Sequence, residues 1–142
     1  SGSKFALEAA SECLALEVRR FNIRVVIIEP GFTRTPMVEK GGPRPKLPKL
    51  DPNSPYHAFK LRSERLSATM KPNASPPELV AEAIQHSLET DEPKLRYPVG
   101  EDAKAWAVGR QAMTDEDWVN FGREMTLDEY AQFYHDQFGM EI

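Results

Sequence analysis

Between positions 4 and 21 the apolar residues Leu7, Ala10, Leu14, Val18 and Phe21 recur at steps of three and four, which predicts an amphipathic helix over Lys4–Phe21. Asn22 tolerates the left-handed backbone needed just past a last turn, and Ile23 supplies the apolar contact that usually closes such a cap. The pattern then changes. Arg24–Glu29 carries Val25, Val26, Ile27 and Ile28, a β-branched run apolar on both faces, as in the interior of a parallel sheet. Pro30 and Gly31 end it.

Six prolines between Pro36 and Pro55, with the Gly41–Gly42 pair, predict a long irregular loop, the kind that forms lids and binding loops in compact domains. Phe59, Ser63, Leu66 and Met70 then suggest a short amphipathic helix from about Tyr56 to Met70. Ser75-Pro76-Pro77-Glu78 reads as a helix start: a hydroxyl cap, proline in the first turn and a carboxylate able to reach back to the cap amide. Leu79, Val80, Ala83, Ile84 and Leu88 carry that helix to about Glu89. Leu95–Val99 is a strand candidate that Pro98 confines to a sheet edge, because proline cannot donate to a ladder. Thr114 with Asp117, and Thr126 with Glu129, open two further helices, and Tyr130, Phe133, Tyr134 and Phe138 form a stripe expected to pack rather than to hold a cofactor.

Arg24–Glu29 exposes a defect in this plan. A strand apolar on both faces needs helices above and below and neighbours on both edges, yet the 142 residues supply one other convincing strand. The rest of the sheet is expected to come from elsewhere. The first residue is Ser1 rather than methionine and the helix is already under way by Phe5, so the expectation is a chain that begins inside an element through processing or truncation.

Composition changes this picture little. With 40% hydrophobic and 28% charged residues the chain reads as one soluble globular domain, not a disordered or fibrous segment. The longest apolar run, Val25–Ile28, falls far short of the roughly 20 residues of a membrane span. Charge is uneven: nine bases face three acids from Thr33 to Lys71, whereas eight acids face Arg123 alone from Met113 onward. Two solvated surfaces of opposite sign are expected, and no aromatic-interleaved or zinc-finger motif accompanies the bases, so no nucleic-acid partner is inferred. Cys13, the only cysteine, excludes an internal disulfide and a thiolate metal cluster and is expected to be a small packed residue; it hints weakly at a reducing, cytoplasmic setting. His57, His86 and His135 lack metal-ligand spacing, so no metal site is assigned.

The segment Ser1-Gly2-Ser3-Lys4-Phe5-Ala6-Leu7-Glu8-Ala9-Ala10 resembles the one that follows the active-site tyrosine in short-chain dehydrogenases/reductases, whose Tyr-x-x-x-Lys motif opens a long helix. Lys4 matches the lysine; the tyrosine would fall one residue before Ser1. Ile23-Arg24-Val25-Val26-Ile27-Ile28-Glu29-Pro30-Gly31-Phe32-Thr33-Arg34-Thr35-Pro36-Met37 is similar to the sixth strand of that family, its Pro-Gly turn and its threonine-bearing cofactor loop. A weaker likeness continues through Arg96-Tyr97-Pro98-Val99-Gly100.

The resemblance implies an α/β fold: the C-terminal part of a doubly wound, Rossmann-type domain, mostly helical, with two short parallel strands at about 24–29 and 95–99 and an incomplete sheet. Residues 1–32 would hold the catalytic-lysine helix, strand and turn, residues 33–71 a substrate lid, and residues 72–142 the C-terminal helices and edge strand. It further implies NAD or NADP as cofactor and an alcohol or ketone as substrate. A phenol with an ordinary pKa of about 10 is a poor base near neutrality. Lys4 would favour its phenolate by charge and bond the nicotinamide ribose. Pro30 and Gly31 would turn close to the nicotinamide, Thr33 would offer backbone groups to its carboxamide, and the Thr35 hydroxyl would bond the same amide. The family's glycine-rich phosphate loop and its tyrosine are not among these residues, so the chain by itself is not expected to be a working enzyme. In the family this first helix commonly lies in a dimer interface, which makes a homo-oligomer through residues 4–21 an expectation and a non-catalytic dimerisation module an alternative.

Two other readings attach to Ser1. Ser1-x-x-Lys4 also matches the Ser-x-x-Lys of penicillin-recognising enzymes, but no Ser-Asp-Asn or Lys-Thr-Gly partner follows. An N-terminal serine nucleophile would need oxyanion donors and a sheet scaffold that the sequence does not show.

Overall fold

The computed structural model describes residues 2–39 and 51–142. The first helix, α1, spans Gly2–Val18 and tightens into a 3-10 turn, Arg19–Phe21. Asn22 takes the left-handed conformation at φ 57°, its N–H donating to the Arg19 carbonyl at 3.1 Å. That cap was legible; its expected closure was not, because Ile23 is exposed. The packed face of α1 also differs from expectation. Its half-buried residues are Glu8, Ser11, Ala15 and Val18, a stripe of mostly small side chains, and no described α1 residue is fully buried. Leu7, Leu14 and Phe21 are exposed at 60%, 47% and 62%, Leu7 at the border of a cavity between this helix and the first strand. Cys13 lies on the exposed side as well, not in a packed position.

Strand β1, Ile27–Pro30, pairs in parallel with β2, Arg96–Val99, in the register Ile27–Arg96 to Pro30–Val99. The strand starts at Ile27 rather than Arg24 because a ladder needs a partner, and its first rung is the Ile27 N–H to the Leu95 carbonyl at 2.7 Å. Gly31 donates to the Val99 carbonyl at 3.0 Å. Residues 95 and 99 therefore turn their backbone groups toward β1, and the alternation of a strand turns Pro98 away from it. The missing donor of Pro98 thus falls on the free edge, as its residue type required. On β1 the same alternation aims the backbone groups of Ile28 at the opposite edge, where the described residues provide no strand.

After β1, Thr35 and Pro36 open a single helical turn, α2 (Pro36–Glu39), inside the stretch expected to be irregular. Proline is tolerated at a first helical position because its missing N–H has no intrahelical partner there. The rest of the expected loop through residue 50 lies outside the described residues. Helix α3, His57–Met70, matches its predicted span and most of its predicted face: Met70 is buried and Leu66 packs against the core, whereas Phe59 is exposed and Arg62 is buried in its stead. Helix α4, Glu78–Glu89, lacks a side-chain cap. Ser75 is used otherwise, forming a parallel bridge with Thr33.

Helix α5, Glu101–Ala112, was not foreseen; its signals were Gly100 followed by two acids in a first turn. The capping boxes of α6 (Asp115–Asn120) and α7 (Leu127–Phe138) form as predicted from Thr114 with Asp117 and Thr126 with Glu129. Hydrogen bonds from the Thr114 hydroxyl and amide hold the Asp117 carboxyl below its usual range, and the Thr126 amide and hydroxyl do the same for Glu129.

The core gathers Met70, Met113, Tyr130, Tyr134 and Phe138, with Trp106 and Phe121 against it. Trp106 stacks on Phe138 with ring centres 4.9 Å apart, and Phe121 stacks on Tyr130 at 5.3 Å, so the aromatic stripe is packing. The eight acids of the C-terminal stretch are all exposed, as expected of a solvated surface, but two bases of the other stretch turn toward this region. Arg62 donates to the Met125 carbonyl at 2.9 Å and lies over the Tyr130 ring, while Arg65 reaches the Ile142 carbonyl and the Asp128 carboxylate. No helix among the described residues is long and apolar enough to cross a membrane.

Candidate active site

The two β strands end at the same level, and the loop that leaves β1 is fastened group by group. The Gly31 N–H goes to Val99, the Phe32 carbonyl accepts from Ser75 at 2.8 Å, and Arg34 donates to the Ser75 carbonyl at 2.8 Å. The Phe32 N–H donates to the Asp102 carboxylate at 2.6 Å. The Thr33 hydroxyl turns back to the Gly31 carbonyl at 3.2 Å. Because Phe32 and Arg34 face Ser75, the backbone N–H and C=O of Thr33 face the other way, away from that bridge.

Two adjoining cavities flank this loop. One, of about 940 Å³, is bordered by Pro30, Gly31 and Thr33 together with Phe5, Asp102 and Trp106. The other, of about 530 Å³, lies between α1 and β1 and is bordered by Lys4, Ser11, Ile28 and Pro30. Glu8, Glu29 and Pro30 border both. Lys4 therefore borders one cavity and Gly31 and Thr33 the other, with Pro30 on the border of both; the loop itself lies at the carboxyl ends of the strands, where open α/β sheets bind ligands. Thr35 borders neither cavity; it sits at the start of α2 with its carbonyl accepting from the Val38 N–H at 2.9 Å.

Between the cavities stands a charge cluster that sequence reasoning missed. Arg96 on β2 donates to Glu8 at 2.8 Å and to Glu12 at 3.1 Å, and lies 3.5 Å from Glu29. It is a cross-link from the edge strand to the helix that begins with Lys4, and it joins residues 88 positions apart. The Arg96 hydrogen bond holds the Glu8 carboxyl below its usual range. Burial, reinforced by the neighbouring Glu8, pushes the Glu29 carboxyl above it. One guanidinium facing three carboxylates explains the split, because the most buried acid is the one least able to carry its charge. No short motif signals such a cluster; the parallel pairing of β1 and β2 creates it.

Residues 1–45 match the family model described as short chain dehydrogenase. The chain is 31% identical over 118 residues to an uncharacterized oxidoreductase of Schizosaccharomyces pombe, an alignment covering 80% of this chain and 46% of that protein. It is 35% identical over 111 residues to Retinol dehydrogenase 5 of Homo sapiens, covering 72% of this chain and 35% of the relative. The chain belongs to the short-chain dehydrogenase/reductase family. A further relative, the 17-beta-hydroxysteroid dehydrogenase type 6 of Homo sapiens, is 28% identical over 114 residues, or 75% of this chain and 36% of its own length. The chain therefore spans between about a third and a half of the curated relatives it matches. Members of this short-chain family generally use NAD or NADP, and the relatives named are oxidoreductases.

Proposed function

We propose that these 142 residues form the nicotinamide-side part of an NAD(P)-dependent oxidoreductase acting on an alcohol or ketone. The observation that supports this reading is that Lys4 and the Pro30–Gly31–Thr33 loop border two adjoining cavities that share Pro30, Glu8 and Glu29. The Lys4 ammonium would favour the phenolate of a tyrosine four residues before it and bond the ribose. Gly31 lets the backbone approach the ring closely, the outward backbone groups of Thr33 would receive the carboxamide, and Thr35 would add its hydroxyl if the start of α2 turns inward on cofactor binding. When bound, the nicotinamide supplies or accepts the hydride; the residues here orient it and move the proton. The names of two relatives point to a lipophilic alcohol as substrate, and the apolar side chains Phe5, Phe32 and Trp106 beside the loop suit one.

Pyrophosphate affinity in this fold comes from a glycine-rich turn and the positive end of the helix after it, which these residues do not include. The 142-residue chain alone is therefore expected to show no saturable binding when titrated with NADH and NADPH at micromolar concentrations. The same residues joined to the glycine-rich half should bind one of the two and oxidise an alcohol. Cofactor fluorescence measures both; saturable micromolar binding by the short chain would overturn the division of labour, and no binding by the joined protein would overturn the enzymatic reading.

The outward apolar face of α1 supports a second role, pairing with another copy of the chain. Leu7, Leu14 and Phe21 are exposed along it, and such a continuous apolar stripe marks an interaction surface. The doubly substituted Leu14→Glu, Phe21→Glu protein should sediment as a monomer where the unaltered protein sediments as a dimer. A strictly monomeric unaltered protein would exclude this role.

A further inference from the structure

We propose that Asp102 is the residue that sets the shape of the nicotinamide loop, an inference that rests on the oxidoreductase reading above. Asp102 stands in the first turn of α5, 70 positions after Phe32 in the chain, and its carboxylate accepts the Phe32 N–H at 2.6 Å. A hydrogen bond to an ionised acceptor is about twice as strong as one between neutral groups. The carboxylate occupies the space that a side chain at position 31 would need: a Cβ built on Gly31 falls onto its oxygens and Cγ. Gly31 is thus glycine because of Asp102, beyond any need for a close approach by cofactor.

The geometry on the other side of the carboxylate agrees. Gly100, at φ 98°, is in a region that L side chains rarely adopt, and a Cβ there would lie 2.7 Å from Asp102 Oδ1 and 3.0 Å from the Ser75 hydroxyl oxygen. Two glycines, one on each chain segment, therefore clear room for a single carboxylate. Its effect is to fix the last free backbone donor before Thr33. With Gly31 held by Val99 and Phe32 held by Asp102 and Ser75, the peptide groups of Thr33 are aimed by their neighbours, having no backbone hydrogen bond of their own among the described residues. Asp102 touches none of the reacting atoms in this account; it is a positioning residue whose action passes through the Phe32 amide.

The test uses the protein joined to its glycine-rich half and three variants. Asp102→Ala removes the acceptor, Asp102→Ser keeps a helix-starting side chain too short to reach Phe32, and Asp102→Asn keeps an oxygen in place. The alanine and serine variants are expected to raise the KM and Kd for the nicotinamide cofactor about tenfold with kcat within about threefold, and asparagine to restore most of the loss. If the alanine variant does not fold, the serine variant carries the comparison. The Phe32 amide, followed by NMR hydrogen exchange without cofactor, should lose protection in the alanine and serine variants and keep it in the asparagine variant. Unchanged Phe32 exchange, or unchanged cofactor KM, in a folded serine variant would overturn the inference. Absence of cofactor binding by the unaltered protein would instead bring down the oxidoreductase reading, and the Phe32 exchange would still show whether Asp102 holds the loop.

Discussion

Replacing Lys4 with methionine in the protein joined to its glycine-rich half is expected to lower kcat by about 10² to 10³, within the range that proton-transfer catalysis contributes. The charge is lost while the aliphatic bulk stays, so α1 should remain helical. Two effects then separate. The phenol loses the ammonium that favours its ionised form, so the rising limb of the pH–rate profile should move to higher pH. The ribose loses a donor, so the cofactor KM should rise by a smaller factor, about tenfold. Lys4→Arg, which keeps the charge in a different shape, should recover the position of the pH limb more fully than the KM. A Lys4→Met enzyme with kcat within about threefold of the original and an unmoved pH profile would remove Lys4 from the mechanism.

The second large effect lies far from that chemistry. Phe138→Ala should destabilise the folded chain by about 3–5 kcal/mol, the usual range for truncating a buried aromatic residue. Phe138 is 5% exposed, stacks on Trp106, and contacts Tyr134 with ring centres 4.8 Å apart. It also explains Gly109: a Cβ there would run into the Phe138 ring and lie 2.7 Å from the Gln137 carbonyl, so α5 crosses α7 at its one side-chain-free position in that turn. Urea unfolding followed by the fluorescence of Trp106 and Trp118 measures the loss. A small domain has about 5–15 kcal/mol in all, so this one substitution should leave it close to the folding threshold. A shift under about 1 kcal/mol would mean that the aromatic stack is not the core of this region.

These two sites were legible in the sequence to different degrees. The Lys4 helix, the Pro30–Gly31 turn and the capping boxes at Thr114 and Thr126 were readable because each is a local instruction, carried by residues within a few positions of one another. The apolar run at Val25–Ile28 was readable as a strand needing neighbours wherever they come from, while the α/β class came from the resemblance to short-chain dehydrogenases/reductases. Asp102, Arg96, Glu8 and Glu29 were not readable. Their roles come from the parallel pairing of β1 with β2, which joins segments about 70 residues apart, and no spacing along the chain encodes that join. The packed face of α1 was misread for a related reason: periodicity finds the most apolar stripe of a helix, whereas a helix lying close to a sheet uses the smallest one. Ser75 was read as a helix cap because its type fits that role, yet its backbone was already engaged by Thr33. The helix α5 was missed because Gly100 drew attention as the end of a strand and not as the residue before a helix.

The way α1 is attached has a consequence for how the molecule opens. Its described side chains include none that is fully buried, and it is tied to β2 chiefly through Arg96, whereas α3, α5 and α7 share an aromatic centre in which Tyr134 is wholly enclosed. Local opening follows the amount of apolar surface that must be exposed, so a helix fastened by charges over small side chains separates at far lower cost than one threaded through a ring stack. The chain therefore has a hierarchy: a hard C-terminal knot that persists, and an N-terminal arm that opens at lower cost. Such an arrangement places Lys4 on the part of the molecule that yields first, with the Arg96 cross-link as the latch that holds it.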